Sequence, residues 1–156
     1  MPGYGTMFQE RWKALPWTWA NERLSTAHNY WVATTREDGR PHVMPVWGIW
    51  LDRTFYFSTG RRSRKSRNLK TNPSCVICPE GAGEAVIMEG RAEELRDSIV
   101  RRKVRNVYMR KYGSDLDSYS AEPIYAVQPQ VVFGLVESSD KIRGNPTRWR
   151  FEPNQR

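Results

Sequence analysis

Hydrophobic and polar residues come in short runs along most of the chain, broken by turn residues every few positions. Residues 29–35 (NYWVATT) are aromatic and β-branched and read as a strand, closed by the turn Glu37-Asp38-Gly39. Residues 40–51 (RPHVMPVWGIWL) read as one long strand, which Asp52-Arg53 turns into 54–58 (TFYFS). Further strands are predicted at 74–78, 84–95, 124–136 and 147–151. In the long strand, His42, Met44, Val46, Gly48 and Trp50 share one face, and Val43, Pro45, Trp47 and Ile49 share the other. Both faces are apolar, which predicts a strand covered on both sides. Pro45 has no N–H to give a ladder, so it marks an edge or a bulge. That edge either merely blunts the sheet or leaves backbone groups for a ligand.

Three segments carry helical patterns. The first is WTWANERLSTAH after Pro16. The second spans 63–71, with Ser63 as N-cap and Asn72-Pro73 as the stop. Only Leu69 in it is strongly apolar, which predicts a helix with almost no buried face. The third, 98–112, sets Val100, Val104, Val107, Tyr108 and Lys111 on one face and ends at Gly113, a C-cap. Strands in meander with a few short helices predict a mainly β protein, a small antiparallel β-barrel. No repeat, low-complexity tract or linker divides the chain, so residues 1–156 read as a single domain with a flexible segment at 1–11.

Composition narrows the function classes. The 156 residues are 38% hydrophobic and 27% charged with seven Trp, a folded rather than disordered balance. No apolar run reaches the roughly 18 residues of a membrane helix. The N-terminal residues lack the layout of a signal peptide, and two Cys make no disulfide framework, so a cytoplasmic, membrane-free protein is expected. Two His and two Cys are a poor supply for a metal site, and none is expected. Cys75-Val-Ile-Cys78 has C-x-x-C spacing, yet residues i and i+3 of a strand point to opposite faces and can neither bridge nor share a metal.

Charge changes the picture more. The net +8 is concentrated: 61–70 (RRSRKSRNLK) carries +6, 96–112 carries +6, and the rest of the chain sums to −4. Concentrated cation implies an anionic partner. The arginines of 96–112 surround an ordinary amphipathic stripe and read as a solvated face. In Ser58 to Leu69 (STGRRSRKSRNL), by contrast, a strand ends in Ser-Thr-Gly and a helix begins near Ser63. Free N–H groups at a helix start form an anion site, and Ser58, Thr59 and Ser63 add hydroxyls. Arg64 and Lys65 oppose the helix dipole there, by about 0.3–1 kcal/mol each, with no structural return. A phosphate site explains that cost better than a solvated basic face does. Nucleic acid is disfavoured because no aromatic interleaves these cations.

The run NYWVATTREDGRPHVMPVWGIW, followed by FYFSTGRRSRKSRNLKTNPSCVI, resembles the pyridoxamine 5′-phosphate oxidase-like split β-barrel flavin and deazaflavin oxidoreductases. EAVIMEGRAEEL, VYMRKYG and TRWRF continue the likeness in family order across most of 12–151, and Ser63-Arg64-Lys65 matches the family's phosphate signature. The resemblance implies a split barrel of the FMN-binding type with six or seven strands, and a homodimer with the cofactor at its interface. True pyridoxamine phosphate oxidases carry an Arg and a Lys on the strand that here reads His42 to Trp47. Pro45, Val46 and Trp47 stand there instead, and the longer C-terminal substrate section has no counterpart. That departure looks more like the branch using coenzyme F420, whose phosphodiester and oligoglutamate tail suit six cations in ten residues.

By resemblance, Met44, Pro45 and Val46 line the cofactor ring through backbone contacts. Ser58, Thr59, Ser63, Arg64, Lys65 and Asn68, with Gly60 in the same loop, hold the phosphate. Arg61 and Arg62 serve the tail, and Trp47 and Trp149 wall the pocket. The implied activity is hydride transfer between F420 and a small organic substrate, with no protein acid or base that stands out. FMN in the same fold is the first alternative, and a non-enzymatic cofactor-binding or storage protein is the second.

Overall fold

The computed structural model describes residues 14–116, 122–137 and 146–152. Its elements are α1 (Trp17–Thr26), β1 (Tyr30–Thr35), β2 (Pro41–Val46), β3 (Gly48–Leu51), β4 (Thr54–Ser58), α2 (Arg64–Thr71), β5 (Ser74–Pro79), β6 (Glu84–Glu94), α3 (Ser98–Tyr112), β7 (Ile124–Val136) and β8 (Thr147–Arg150). The eight strands form one antiparallel sheet in the order β2-β1-β5-β6-β7-β4-β3, with β8 on β7. That is one strand more than the expected six or seven, because the long strand 40–51 is two. The chain leaves one edge of the sheet at Val46 and re-enters at the opposite edge at Gly48, with Trp47 alone between them. One residue can join the two edges only if the sheet curls until they meet, which makes it a half-closed barrel. The expected segment 1–11 lies outside the described residues.

Alternation along the strands sends Tyr30, Val32, Phe55, Phe57, Ile77, Met88 and Val127 inward to near-zero exposure, and α1 closes one end with Ala20 and Leu24. A second cluster lies outside the barrel wall, where α3 packs Val104 and Tyr108 on Ile49, Tyr56 and Ile124. α3 starts on Asp97, whose carboxylate accepts from the Ile99 and Val100 N–H groups. It ends at Gly113 in the left-handed region at φ 64°.

Two expectations need correction. β2 is not covered on both sides: in this chain Val43 and Met44, one on each of its faces, are 50% and 45% exposed, and Trp47 just beyond it is 44% exposed, because the strand lies at the rim of the sheet where little packs over either face. α2 does have a buried face, made of Lys65, Ser66, Asn68 and Leu69. That face is mostly polar, so apolar periodicity passes over it.

The cysteines sit as strand geometry requires. Cys75 pairs across from Thr34 on the inner face, Cys78 across from Trp31 on the outer, and both are free. Burial pushes the Cys75 thiol up to about 12 and raises Cys78 as well. The folded chain then keeps thiol protons that the unfolded chain releases around 9. This contribution to stability is therefore intact below pH 9 and is lost between pH 9 and 12. Lys111 opposes it, because its lowered value, about 8, favours the folded state as pH rises from there. Comparing variants isolates the thiols. Denaturant midpoints of Cys75→Ala/Cys78→Ala are expected to fall less between pH 8.5 and 10.5 than those of wild type; parallel curves would refute this.

Candidate cofactor site

The site is built where β4 hands over to α2. Ser63 caps the helix: its Oγ accepts from the Ser66 N–H at 3.2 Å and from the Thr59 hydroxyl at 3.2 Å, while its own N–H donates to Gly60 O. Ser58 Oγ donates to Pro123 O at 3.1 Å, so it fixes the strand end. A helix start has four backbone N–H groups to satisfy, and Ser63 and Ser66 account for two. Those of Arg64 and Lys65 have no partner among the described residues.

α2 is held by polar contacts on both sides. Asn68 Nδ2 donates to Thr34 Oγ1 at 2.9 Å, and the Tyr125 hydroxyl lies 3.1 Å from Ser66 Oγ. Asn68, expected on the phosphate, is thus 3% exposed and tied to β1. Lys65 is 9% exposed, and desolvation alone lowers its pKa, with no carboxylate beside it. Arg62 and Arg64 are exposed and make no hydrogen bond or ion pair among the described residues. Arg61 differs: its guanidinium meets Glu94 at 3.1 Å and its N–H donates to Glu122.

From α2 the site runs along β2. The Arg36 N–H donates to Arg40 O, and this sets the parity of the β1–β2 ladder. His42, Met44 and Val46 therefore spend their backbone groups on β1, whereas Pro41, Val43 and Pro45 turn theirs to the open edge. The two prolines occupy positions where an N–H would have had no ladder partner. Of the three residues expected to line a ring through backbone contacts, Pro45 alone offers a free carbonyl, and Val43 supplies the nearest N–H.

The far end of β2 is aromatic. Trp47 stacks on Tyr112 with centroids 4.8 Å apart and planes at 5°, and His28 meets both rings edge-on. Tyr112 OH accepts from the Gly48 N–H at 3.0 Å and lies 2.7 Å from both His28 O and Gly48 O. Lys111 Nζ donates to Gly48 O at 3.1 Å and to Tyr30 OH at 2.9 Å, over the faces of both tyrosines. Burial brings this amine down to about 8 and pushes the Tyr112 phenol up to about 12. These contacts pin the crossing between β2 and β3.

Trp149 is elsewhere. It pairs opposite Val132, while Ser58 pairs opposite Ile124 on the same strand β7, so eight residues, roughly 26 Å of strand, separate them. Its ring packs edge-on against Trp17 at 5.5 Å. Sequence reasoning passed over His42, Arg36 and Thr34, which lie beside Lys65 and Asn68; a lone His on an edge strand gave no signal of its own. A groove of about 310 Å³ beside His28 is lined by Arg23, Glu80 and Glu84 among others, and its carboxylates disfavour an anion. No group of three His, Cys, Asp or Glu able to hold a metal occurs among the described residues. No helix there is long and apolar enough to cross a membrane.

A curled antiparallel half-barrel with a cationic helix start at its mouth is a split β-barrel. The chain belongs to the pyridoxamine 5′-phosphate oxidase family, which matches residues 19–136. It is 29% identical over 121 residues to a pyridoxine/pyridoxamine 5′-phosphate oxidase of Myxococcus xanthus, covering 74% of this chain and 57% of that one. The chain thus spans little over half the length of that relative. Solved structures share the fold. An F420 reductase matches at TM-score 0.57 and 22% identity, over 72% of this chain and 94% of that one. An FAD-binding protein from Mesorhizobium loti matches at 0.59 and 20%, over 77% and 94%. The heme storage protein HutZ from Vibrio cholerae matches at 0.59 and 19%, over 75% and 89%. Oxidoreductases and cofactor-storage proteins are thus both built on this fold.

Proposed function

We propose that the protein is an F420-dependent oxidoreductase that passes a hydride between this cofactor and a small organic substrate. The observation that carries the reading is the unbalanced donor set at α2: Lys65, Arg64 and Arg62 side chains and two backbone N–H groups without partners. Buried charge without a counter-ion is costly, and a phosphate supplies the missing one. The cofactor contributes the two-electron chemistry when bound. The chain's residues bind and orient it. Arg64 and Lys65 hold phosphate, Asn68 and Ser66 keep α2 in place, and the Val43–Pro45 edge and Trp47 receive the ring. Arg62 is the cation left for an acidic tail, since Arg61 already has Glu94. FMN is the second reading, favoured by that same Arg61–Glu94 pair, which removes one of the two tail cations.

The absorption spectrum of the purified protein, followed by titration with F420 and with FMN, tests the choice. F420 is expected to bind more tightly and to lose affinity on Arg62→Ala by a few-fold at most, an exposed contact being worth about 0–1 kcal/mol. Tight FMN binding with no F420 binding would overturn the cofactor and leave the fold standing.

We further propose a cytoplasmic homodimer with the site at its interface. Trp31, Val43 and Ile87, all 37–50% exposed, stand together on the outer face of β1, β2 and β6 and mark an apolar patch for a second copy to cover. Sedimentation is expected to show a dimer, and Trp31→Glu/Val43→Glu to give a monomer with at least about tenfold weaker cofactor binding, a loss near 1.4 kcal/mol. A monomer that binds at full affinity would refute the interface site.

A further inference from the structure

His42 stands directly across the ladder from Thr34, the residue that receives Asn68 of α2. Its Nδ1 is buried without a hydrogen-bond partner among the described residues, and so is Nε of Arg36, which follows β1. Buried polar atoms are nearly always paired, and two orphans side by side need a reason. Charge supplies one. Arg36 just after β1 and Arg64 and Lys65 from α2 all act on His42, and no carboxylate does. Asp38, in the hairpin turn, is clamped to Arg40 at 2.6 Å. Asp38 is also felt by Arg36 and Arg64, but three cations act on His42 itself and no carboxylate balances them there.

We propose that His42 and Arg36 complete the phosphate site at the start of α2, and that His42 takes up a proton from solvent when the phosphate binds. This rests on the cofactor reading above for the source of the phosphate, and it applies equally to a monoester or a diester. A neutral imidazole has one N–H, whereas the imidazolium has two, so both ring nitrogens donate once the anion is present. In the free protein, desolvation and the three cations hold His42 below the ordinary 6.5. An adjacent phosphate reverses the sign of the local field and favours the charged ring. Binding and protonation are then linked, and each strengthens the other.

The chain has two histidines, so imidazole NMR of the wild-type protein reads the site directly, with His42→Gln for assignment. The His42 midpoint is expected to lie below 6.5 in the free protein and to rise by about one unit or more with FMN or F420, but not with riboflavin, which lacks phosphate. A response to F420 alone identifies a diester source and a response to FMN alone a monoester. As a second measurement, the ratio of wild-type to His42→Gln affinity is expected to fall by about three- to sixfold from pH 6 to pH 8 for a one-unit rise, with the ligand's own ionisation cancelling. Cofactor binding that leaves the His42 midpoint unmoved overturns the proposal while the cofactor reading survives. If neither cofactor binds, millimolar inorganic phosphate is the probe. A raised midpoint then supports the phosphate site and sinks the cofactor reading, and no response sinks both.

Discussion

Lys65→Met is expected to raise the stability of the protein and to cost it most of its affinity for cofactor. Lys65 is nine-tenths buried, desolvated and without a counter-charge, so a methionine of similar length removes an unpaired charge and keeps the packing. A gain on the order of 1 kcal/mol would lift the melting temperature of a domain this size by about 2–4 °C. A charge-assisted hydrogen bond to phosphate is worth about 1.5–3 kcal/mol, so the same change weakens binding by about ten- to a few-hundredfold. Arg64→Ala adds a comparable loss. Melting curves and cofactor titration of the two variants test the pair of effects together. A Lys65→Met protein that is less stable and binds cofactor normally would mean that Lys65 is structural.

Phe55→Ala is expected to destabilise the fold by about 3–5 kcal/mol, a large part of the 5–15 kcal/mol available to a domain. Phe55 is fully buried against Tyr30 at 4.6 Å, directly beneath Gly48. Gly48 has no room for a side chain: a Cβ there would collide with the Phe55 ring and stand 2.9 Å from Tyr56 O. Gly48→Ala alone is therefore expected to cost about 1–3 kcal/mol by overpacking. The double variant separates these causes, because the new methyl enters the space the ring has left. Its loss is expected to fall short of the sum of the singles, with a residue from the fixed Tyr56 carbonyl. Strict additivity in denaturant unfolding would show that the two positions do not share that space.

Sequence pattern made most of the elements legible, and its failures have identifiable causes. α1, α3 and β7 were readable because their burial is apolar and periodic. The break at Trp47 was not, because apolar residues continue on both sides of it and only pairing reveals that β2 and β3 occupy opposite edges. The buried face of α2 was hidden for the opposite reason: Ser66 and Asn68 are buried through hydrogen bonds to residues 59 and 34 positions away. The phosphate loop itself was legible from Ser63-Arg64-Lys65. The pairing of Arg61 with Glu94 and the company around His42 depend on register between distant strands, which charge counting along the chain cannot supply.

β7 also has a consequence for how the protein is made. It is the last long strand in the chain, and it pairs with β4, β6 and β8. On a ribosome adding roughly 5–20 residues per second, β4 emerges on the order of several seconds before β7 can join it. During that interval Phe55, Tyr56 and Phe57 sit in a strand with one open side, a short aromatic window of the kind that seeks other chains. The basic stretch that follows, from Arg61 to Lys70, then gives nascent chains a shared positive charge and a means of keeping apart.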